Sequence, residues 1–301
     1  MIRQLGCAAL CAAAVAAHAG DAADTIHWVA QDAPPHFSFV QGHAPRSVAE
    51  LGRGELDGFM RVLLPRMPGY RHEFVEVSTT RYEALSRSGQ TLCSTLHVRT
   101  PARTDWAYFS HLFPPLASRE VHVVLRRDTL ARLTQQRMPE GRLVLADLLK
   151  RPELRPLLAR DRAFGAQIDN LLAQHEVPRV TVGAQFSRRT LDMLRAGRMD
   201  YTLEYPAVVQ DYLQRVGAPD ALVALPVAEG LSTLLATVSC SRTPEGLRQI
   251  EAIDAAVRSL AREPDREAWV RQWRGGPLDA ADMRRLNAYM DERGRSGPRI
   301  E

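Results

Sequence analysis

The chain has 301 residues, a formal net charge of +4, 45% hydrophobic and 25% charged residues, the balance of a globular protein rather than a disordered or fibrous one. Its cations are almost all arginine, spread along the chain among acids. Lys150 is the only lysine, and no basic block interleaved with aromatics appears, which argues against a nucleic-acid partner.

The first residues read as an export address. Arg3 precedes an apolar run from Leu5 to Ala17, and Ala17-His18-Ala19 has the small-x-small form of a cleavage site before Gly20. The run is too short to span a bilayer, and no later stretch is long enough without charges. A cleaved signal peptide over residues 1–19 and a soluble periplasmic chain are expected. Cys7 and Cys11 fall in that leader, which leaves Cys93 and Cys240. In an oxidising compartment such a pair, outside any C-x-x-C spacing, predicts a disulfide and contact between the two positions. No zinc-ligand spacing accompanies them, and no metal or other cofactor is expected.

Thr25–Ala30 alternates as a first strand and breaks at Asp32-Ala33-Pro34-Pro35, where two prolines stiffen a loop carrying His36-Phe37. Phe37 reads equally as an aromatic wall for a ligand or as a hydrophobic plug. Residues 56–67 place Leu56, Phe59, Met60, Leu63 and Leu64 on one helical face, and residues 72–77 alternate as a second strand. Thr80-Arg81-Tyr82-Glu83 fits a capping box for a helix ending at Gly89. Thr91–His111 then runs from an apolar strand into Thr100-Pro101-Ala102-Arg103, an arginine offered by a loop, with Tyr108-Phe109-Ser110 behind it.

Residues 119–125 read as a strand, 143–149 as a short strand or helix, 164–175 as a helix and 179–182 as a strand. Ser187 is placed as the cap of a helix stopping at Gly197, before a strand at 200–203 that exits into Glu204-Tyr205-Pro206. The stretches from Thr80 through Gly89 to Cys93, and from Ser187 through Gly197 to Tyr201, share one grammar: helix, terminating glycine, two polar residues, strand. Strands follow at 232–235 and 238–241, then a helix from Pro244 to about Arg262, Trp269 and Trp273, a helix at 279–291, and a tail at 293–301 whose Gly, Arg and Pro content predicts disorder. The alternation of strand and helix argues for helices packed on mainly parallel sheets, with ligands at the strands' carboxyl ends.

On these residues the chain resembles the type II periplasmic solute-binding proteins, near the bacterial extracellular family 3 that includes amino-acid binders. Ala33-Pro34-Pro35-His36-Phe37 stands for the family's Pro-Pro-Phe loop, Thr100-Pro101-Ala102-Arg103 for its Thr-Pro-x-Arg, Tyr108-Phe109-Ser110 for its aromatic-Phe-Ser, and Gly197-Arg198-Met199-Asp200 for its Gly-Arg-x-Asp. The resemblance implies a two-lobe α/β fold, each lobe a mixed, mainly parallel sheet flanked by helices, joined by two crossover strands. Lobe one would comprise residues 20–119 and 229–301, lobe two residues 120–228. Cys93 and Cys240 then share a lobe. Arg103 would fork the ligand carboxylate, Glu204 would bind its amino group and Phe37 would stack on it, with Thr95, Thr100, Arg162 and Gly165 completing the ligand set. Two departures matter. Gly89 leads to Thr91 where the family has an acid, and Phe164-Gly165-Ala166 lacks the usual hydroxyl, so backbone amides and Arg162 would have to serve instead.

The implied role is a monomeric periplasmic protein that captures a small polar or anionic, amino-acid-like solute for an ABC-type permease. The alternative is a binding protein that signals to a membrane receptor. An enzyme of dehydratase or lyase type on the same fold is disfavoured: no Gly-x-Ser-x-Gly, His-Glu-x-x-His or phosphate loop is present, His27, His36 and His43 read as loop residues, and Glu204 has no evident partner base.

Overall fold

The computed structural model describes residues 24–114, 116, 120–133, 139–159, 162–175, 177–180, 186–230 and 235–301. The expected leader at 1–19, and most of the strand expected at 232–235, lie outside these. In chain order the elements are β1 (Asp24–Ala30), α1 (Glu55–Leu63), β2 (Tyr70–Glu76), α2 (Thr79–Arg87), β3 (Cys93–Ser94), α3 (Pro101–Thr104), β4 (Ala107–Phe113), β5 (His122–Arg126), α4 (Arg127–Ala131) and α5 (Leu145–Leu148). They continue with β6 (Leu158–Ala159), α6 (Ala166–Gln174), β7 (Arg179–Val180), α7 (Phe186–Arg195), β8 (Tyr201–Glu204), α8 (Pro206–Arg215), β9 (Leu222–Pro226), β10 (Ala236–Ser241), α9 (Pro244–Ala261), α10 (Arg266–Arg274) and α11 (Ala280–Arg295).

Two sheets share one plan. The first runs β2-β1-β3-β10-β4, with β10 alone antiparallel to its neighbours. In the second, β5 lies antiparallel between β8 and β9, β6 and β7 are parallel, and a parallel bridge between Pro156 and Tyr201 brings the β6 segment beside β8. Its order is therefore β7-β6-β8-β5-β9 with β5 reversed, the same pattern as the first sheet. The two reversed strands are those that follow the passages from one sheet to the other. The repeated grammar of the sequence maps onto β3 and β8, which hold equivalent places. Gly89 (φ 90°) and Gly197 (φ 72°) make the left-handed stops before them, a conformation glycine adopts without a Cβ penalty.

Each sheet has its own core. Trp28, Phe59, Phe113, Val238, Ile253, Trp273 and Leu286 belong to one, and Val123, Leu143, Phe164, Leu194, Leu203 and Val227 to another. In the first, α1 approaches α10 so closely that a Cβ on Gly58 would stand 2.0 Å from the Trp273 carbonyl oxygen. The Trp273 indole N–H donates to the Glu55 carbonyl (2.7 Å). Cys93 and Cys240 face each other in register on antiparallel β3 and β10 and are bonded, as expected, with Cα atoms 4.0 Å apart.

Three local expectations are corrected. The second helix begins at Thr79, and its cap is Ser78, whose hydroxyl accepts from Arg81 N (3.4 Å), not Thr80. Ser187 lies inside α7 rather than capping it. The tail at 293–301 is ordered: α11 runs on to Arg295, Ile300 bridges Ser110, and Glu301 exchanges both backbone hydrogen bonds with Phe109 (2.9 and 3.0 Å). It adds a short extension to β4, the outer strand of the first sheet, whose edge N–H and C=O groups would otherwise lack partners.

Candidate functional site

The site is built from the segments that leave the carboxyl ends of the strands. After β1, Ala33 and Phe37 pair with each other across a cis Pro34-Pro35 peptide. Asp57 of α1, fully buried, clamps the loop by accepting from Ser38 N and Gly54 N, both at 2.9 Å. Burial raises the pKa of Asp57 against these hydrogen bonds. Glu55 N and Leu56 N at the start of α1 donate to the carbonyls of Pro35 and His36. Phe37, paired with Ala33 at the end of the turn, points into the core at 1% exposure, edge to face with Phe39, and is a plug rather than a wall for a ligand. His36 turns the other way: its ring meets Tyr205 of the second sheet edge to face at 5.4 Å, with Glu55 Oε2 3.4 Å from its Nδ1.

β3 is only two residues long because the chain turns at once. Ser94 Oγ accepts from Leu96 N and bonds His97 Nδ1 at 2.7 Å. His97 is 3% exposed, and burial first, then the Arg103 charge, holds its imidazole well below its usual pKa. Thr95 is buried with its hydroxyl on the Met60 sulfur (3.7 Å). Thr100 is the N-cap residue of α3, its carbonyl accepting from Arg103 N and Thr104 N. Arg103 thus stands on a short helix opened by Pro101 rather than on a loop. Its Nη1 donates to Val98 O (2.7 Å).

On the second sheet, β6 and β8 are neighbours, so Arg162 after one and Glu204 at the end of the other meet. Arg162 Nη1 donates to Glu204 Oε2 at 2.5 Å and Nη2 donates to Oε1. Ser187 Oγ adds a bond to Oε2 (2.6 Å) and Tyr205 N one to Oε1 (2.8 Å). The guanidinium lies 5.2 Å from the ring centroids of both Phe164 and Tyr205, within cation–π range. Glu204 is 2% exposed. Burial raises its pKa, but Arg162, Ser187 and the Tyr205 amide outweigh burial and hold the carboxyl below its ordinary value. Burial likewise opposes the Arg162 charge, and Glu204 more than offsets it.

Gly165 (φ 105°) is the N-cap residue of α6. The expected use of backbone amides there is modified: Phe164 N and Gly165 N donate to Asp169 Oδ1 and Oδ2 (3.0 and 3.2 Å). Burial, opposed by these two amides and then by the charges of Arg179 and Arg103, raises the Asp169 carboxyl above its usual pKa. The sequence sets Arg103 and Glu204 on opposite sides of one cleft; the Glu204 carboxylate is bonded to Arg162. His36, Tyr205 and Asp169 were not singled out as site residues. A histidine beside the double proline, and an aromatic directly after Glu204, were the available signals. Among the described residues no group of three or more His, Cys, Asp or Glu is arranged to hold a metal, and no helix is long and apolar enough to cross a membrane.

No protein-family model matches the sequence, and no curated protein matches it. Solved structures do match. One concerns glutathione import and a cystine ABC importer of Streptococcus mutans: 11% identity, TM-score 0.59, covering 86% of this chain and 99% of that one. An ABC uptake transporter substrate-binding protein from Streptococcus pneumoniae with bound histidine has 15% identity and a TM-score of 0.58, over 85% and 94% of the two chains. A histidine kinase sensor domain similar to periplasmic binding proteins has 17% identity and a TM-score of 0.58, over 85% and 98%. With its two matched sheets, each carrying one reversed strand, the chain has the two-lobe fold of the type II periplasmic solute-binding proteins.

Proposed function

We propose that the chain is a solute-binding protein that takes a small polar or anionic solute between two lobes, residues 20–119 with 229–301 and residues 120–228. The observation that carries this reading is the contact of His36 with Tyr205, which brings the segment leaving β1 of the first sheet against the one leaving β8 of the second. A cation held at facing strand ends suits a carboxylate, which an arginine can fork. Lobe closure would exclude water, and the solute would favour the closed form by its differential affinity. Arg103 is the carboxylate partner, and Thr100 sets the start of its helix. The importer proteins among the structural neighbours support delivery to an ABC-type permease from the periplasm. The sensor-domain neighbour supports the second reading, signalling to a membrane receptor. Glu204 is held ionised by Arg162, which does not suit it to give up a proton as a general acid.

The test is a thermal-shift screen of the purified protein against small carboxylates, amino acids and sugars. A bound solute raises the midpoint by mass action. Arg103→Ala should abolish the rise for carboxylates, and an unchanged response in that variant overturns the assignment.

A further inference from the structure

Three segments of the second sheet's carboxyl edge build one enclosed seat. The stretch after β6 brings Arg162 and Phe164, the first turn of α7 brings Ser187, and the exit of β8 brings Glu204 and Tyr205. The Glu204 carboxylate, 2% exposed, forms its floor. The rings of Phe164 and Tyr205 each lie 5.2 Å from the guanidinium seated there. A buried carboxylate that accepts a planar fork, with aromatic rings around it, is the chemical complement of a guanidinium. Sheets of this kind take ligands in crevices at their strands' carboxyl ends. Tyr205 is also the residue that His36 of the first sheet touches.

The chain itself fills this seat. Arg162 Nη1 and Nη2 take the two Glu204 oxygens, and Nη1 lies 3.5 Å from Ser187 Oγ. Ser187 Oγ and Tyr205 N add two more donors to the carboxylate, which offers about four lone-pair sites. An ion pair needs only the fork; here two rings enclose the same cation. The Arg162 side chain remains one-fifth exposed, so the seat keeps an open side. A tethered group is present at its site at an effective concentration of about millimolar or above, and a free cation of like affinity at micromolar concentration does not displace it. We infer that Glu204, Ser187, Phe164 and Tyr205 form a guanidinium-binding site whose resident ligand is Arg162. The acid expected to receive a solute's amino group thus serves the chain's own arginine. This holds for the one seat, whatever group Arg103 meets, and so goes beyond the solute-binding reading.

Arg162→Ala vacates the seat, and ethylguanidinium replaces the atoms removed. The variant should melt below the wild type, and millimolar ethylguanidinium should raise its midpoint in a saturable way by mass action. Its apparent affinity should exceed that of ethylammonium, which carries the charge without the fork, by about tenfold or more. The wild type should show no such rise, and Arg162→Ala with Glu204→Gln should lose it. A variant that ignores ethylguanidinium, or responds equally to both cations, overturns the inference. So does a wild type that responds as the variant does, or a rise that survives Glu204→Gln. None of these outcomes touches the solute-binding reading, because no carboxylate solute is added. Should Arg162→Ala not fold alone, ethylguanidinium during refolding should recover the native circular dichroism where ethylammonium does not. Recovery with neither cation, or equally with both, overturns the inference as well.

Discussion

Arg293 and Asp254 are both fully buried and joined side chain to side chain, Nη2 of the arginine donating to Oδ1 of the aspartate. Ser110 Oγ (2.8 Å), Arg258 Nε (2.9 Å) and Arg299 N (3.2 Å) complete the aspartate's shell. The pair ties α11 to α9 and to β4, and it explains why the tail beyond it is ordered. Removing one partner of a buried pair leaves an uncompensated charge. Arg293→Met should therefore cost about 3–5 kcal/mol in denaturant unfolding. Arg293→Met with Asp254→Leu should cost clearly less than the sum of the single changes, since the one charge it leaves without its partner is Arg258, whose side chain is one-fifth exposed and can reach water. Equal single and additive double losses would refute the coupling.

The groups with lowered pKa values give the pH profile two stages of one sign, opposed at acid pH by Asp57 and Asp169, whose raised carboxyls gain stability as they take up protons. His97, His72, His111 and His122 all have pKa values lowered by burial, His97 most strongly. The unfolded chain binds protons at these sites near the ordinary value of about 6.5. Stability is therefore complete above that pH and is lost as pH falls from it towards the folded values, by up to about 1.4 kcal/mol per pH unit for each histidine. Asp254, Asp200 and Glu204 have carboxyls that burial raises but their arginine partners lower further, to below the usual range. Their contribution is complete above about pH 4 and disappears as pH falls through the folded values. Midpoints measured from pH 8 to 4.5 should fall below about 6.5, and His97→Asn should flatten the first stage. A curve that is level from 8 to 5 in the wild type contradicts the assignment.

What was legible in the chain was what depends on neighbours along it. Gly89 and Gly197 announce left-handed helix stops wherever they are placed, and alternation marks β1 and β2. The Cys93–Cys240 bond followed from compartment and number rather than from any local signal. Arg293 was read as part of a polar, disordered tail because its partner lies 39 positions away on another helix. Burial of an arginine is a tertiary fact that composition inverts. Phe37 failed for a smaller reason. Its loop could be seen, but which of two successive rings faces inward depends on the Ala33–Phe37 pairing and on the Asp57 clamp. Glu204 was correctly placed at a strand end, while Arg162 and Ser187 reach it only through the adjacency of β6 and β8 and the approach of α7.

The disulfide bridges directly opposed residues on β3 and β10, at a sequence separation of 147. Cross-linking removes states mainly from the unfolded chain, more for a longer loop. Cys93→Ser with Cys240→Ser should fold to the same structure by circular dichroism and lose about 2–4 kcal/mol. The wild type should show the same loss in reductant and no free thiol before it. Two alkylatable thiols in the untreated protein would sink the prediction.

The opposite orientations of Phe37 and His36 separate stability from binding. Phe37 packs with its ring in the first core, so Phe37→Leu removes buried surface in a well-packed place. It should lower stability by about 1–2 kcal/mol while leaving solute affinity within about twofold. Tyr205 stands at the other extreme. Its ring touches His36 of the first lobe and lies over the Arg162 guanidinium, while its own amide holds Glu204. Tyr205→Leu keeps the amide and much of the apolar bulk but removes the aromatic face that both groups use. An aromatic contact of this kind is worth about 0.5–1.5 kcal/mol, so affinity should fall about two- to tenfold with a smaller change in melting midpoint than Phe37→Leu produces. Thermal unfolding and calorimetric titration on the same two variants read both quantities. If Phe37→Leu weakens the solute more than Tyr205→Leu does, the plug is a wall after all, and the junction between His36 and Tyr205 is not where the solute sits.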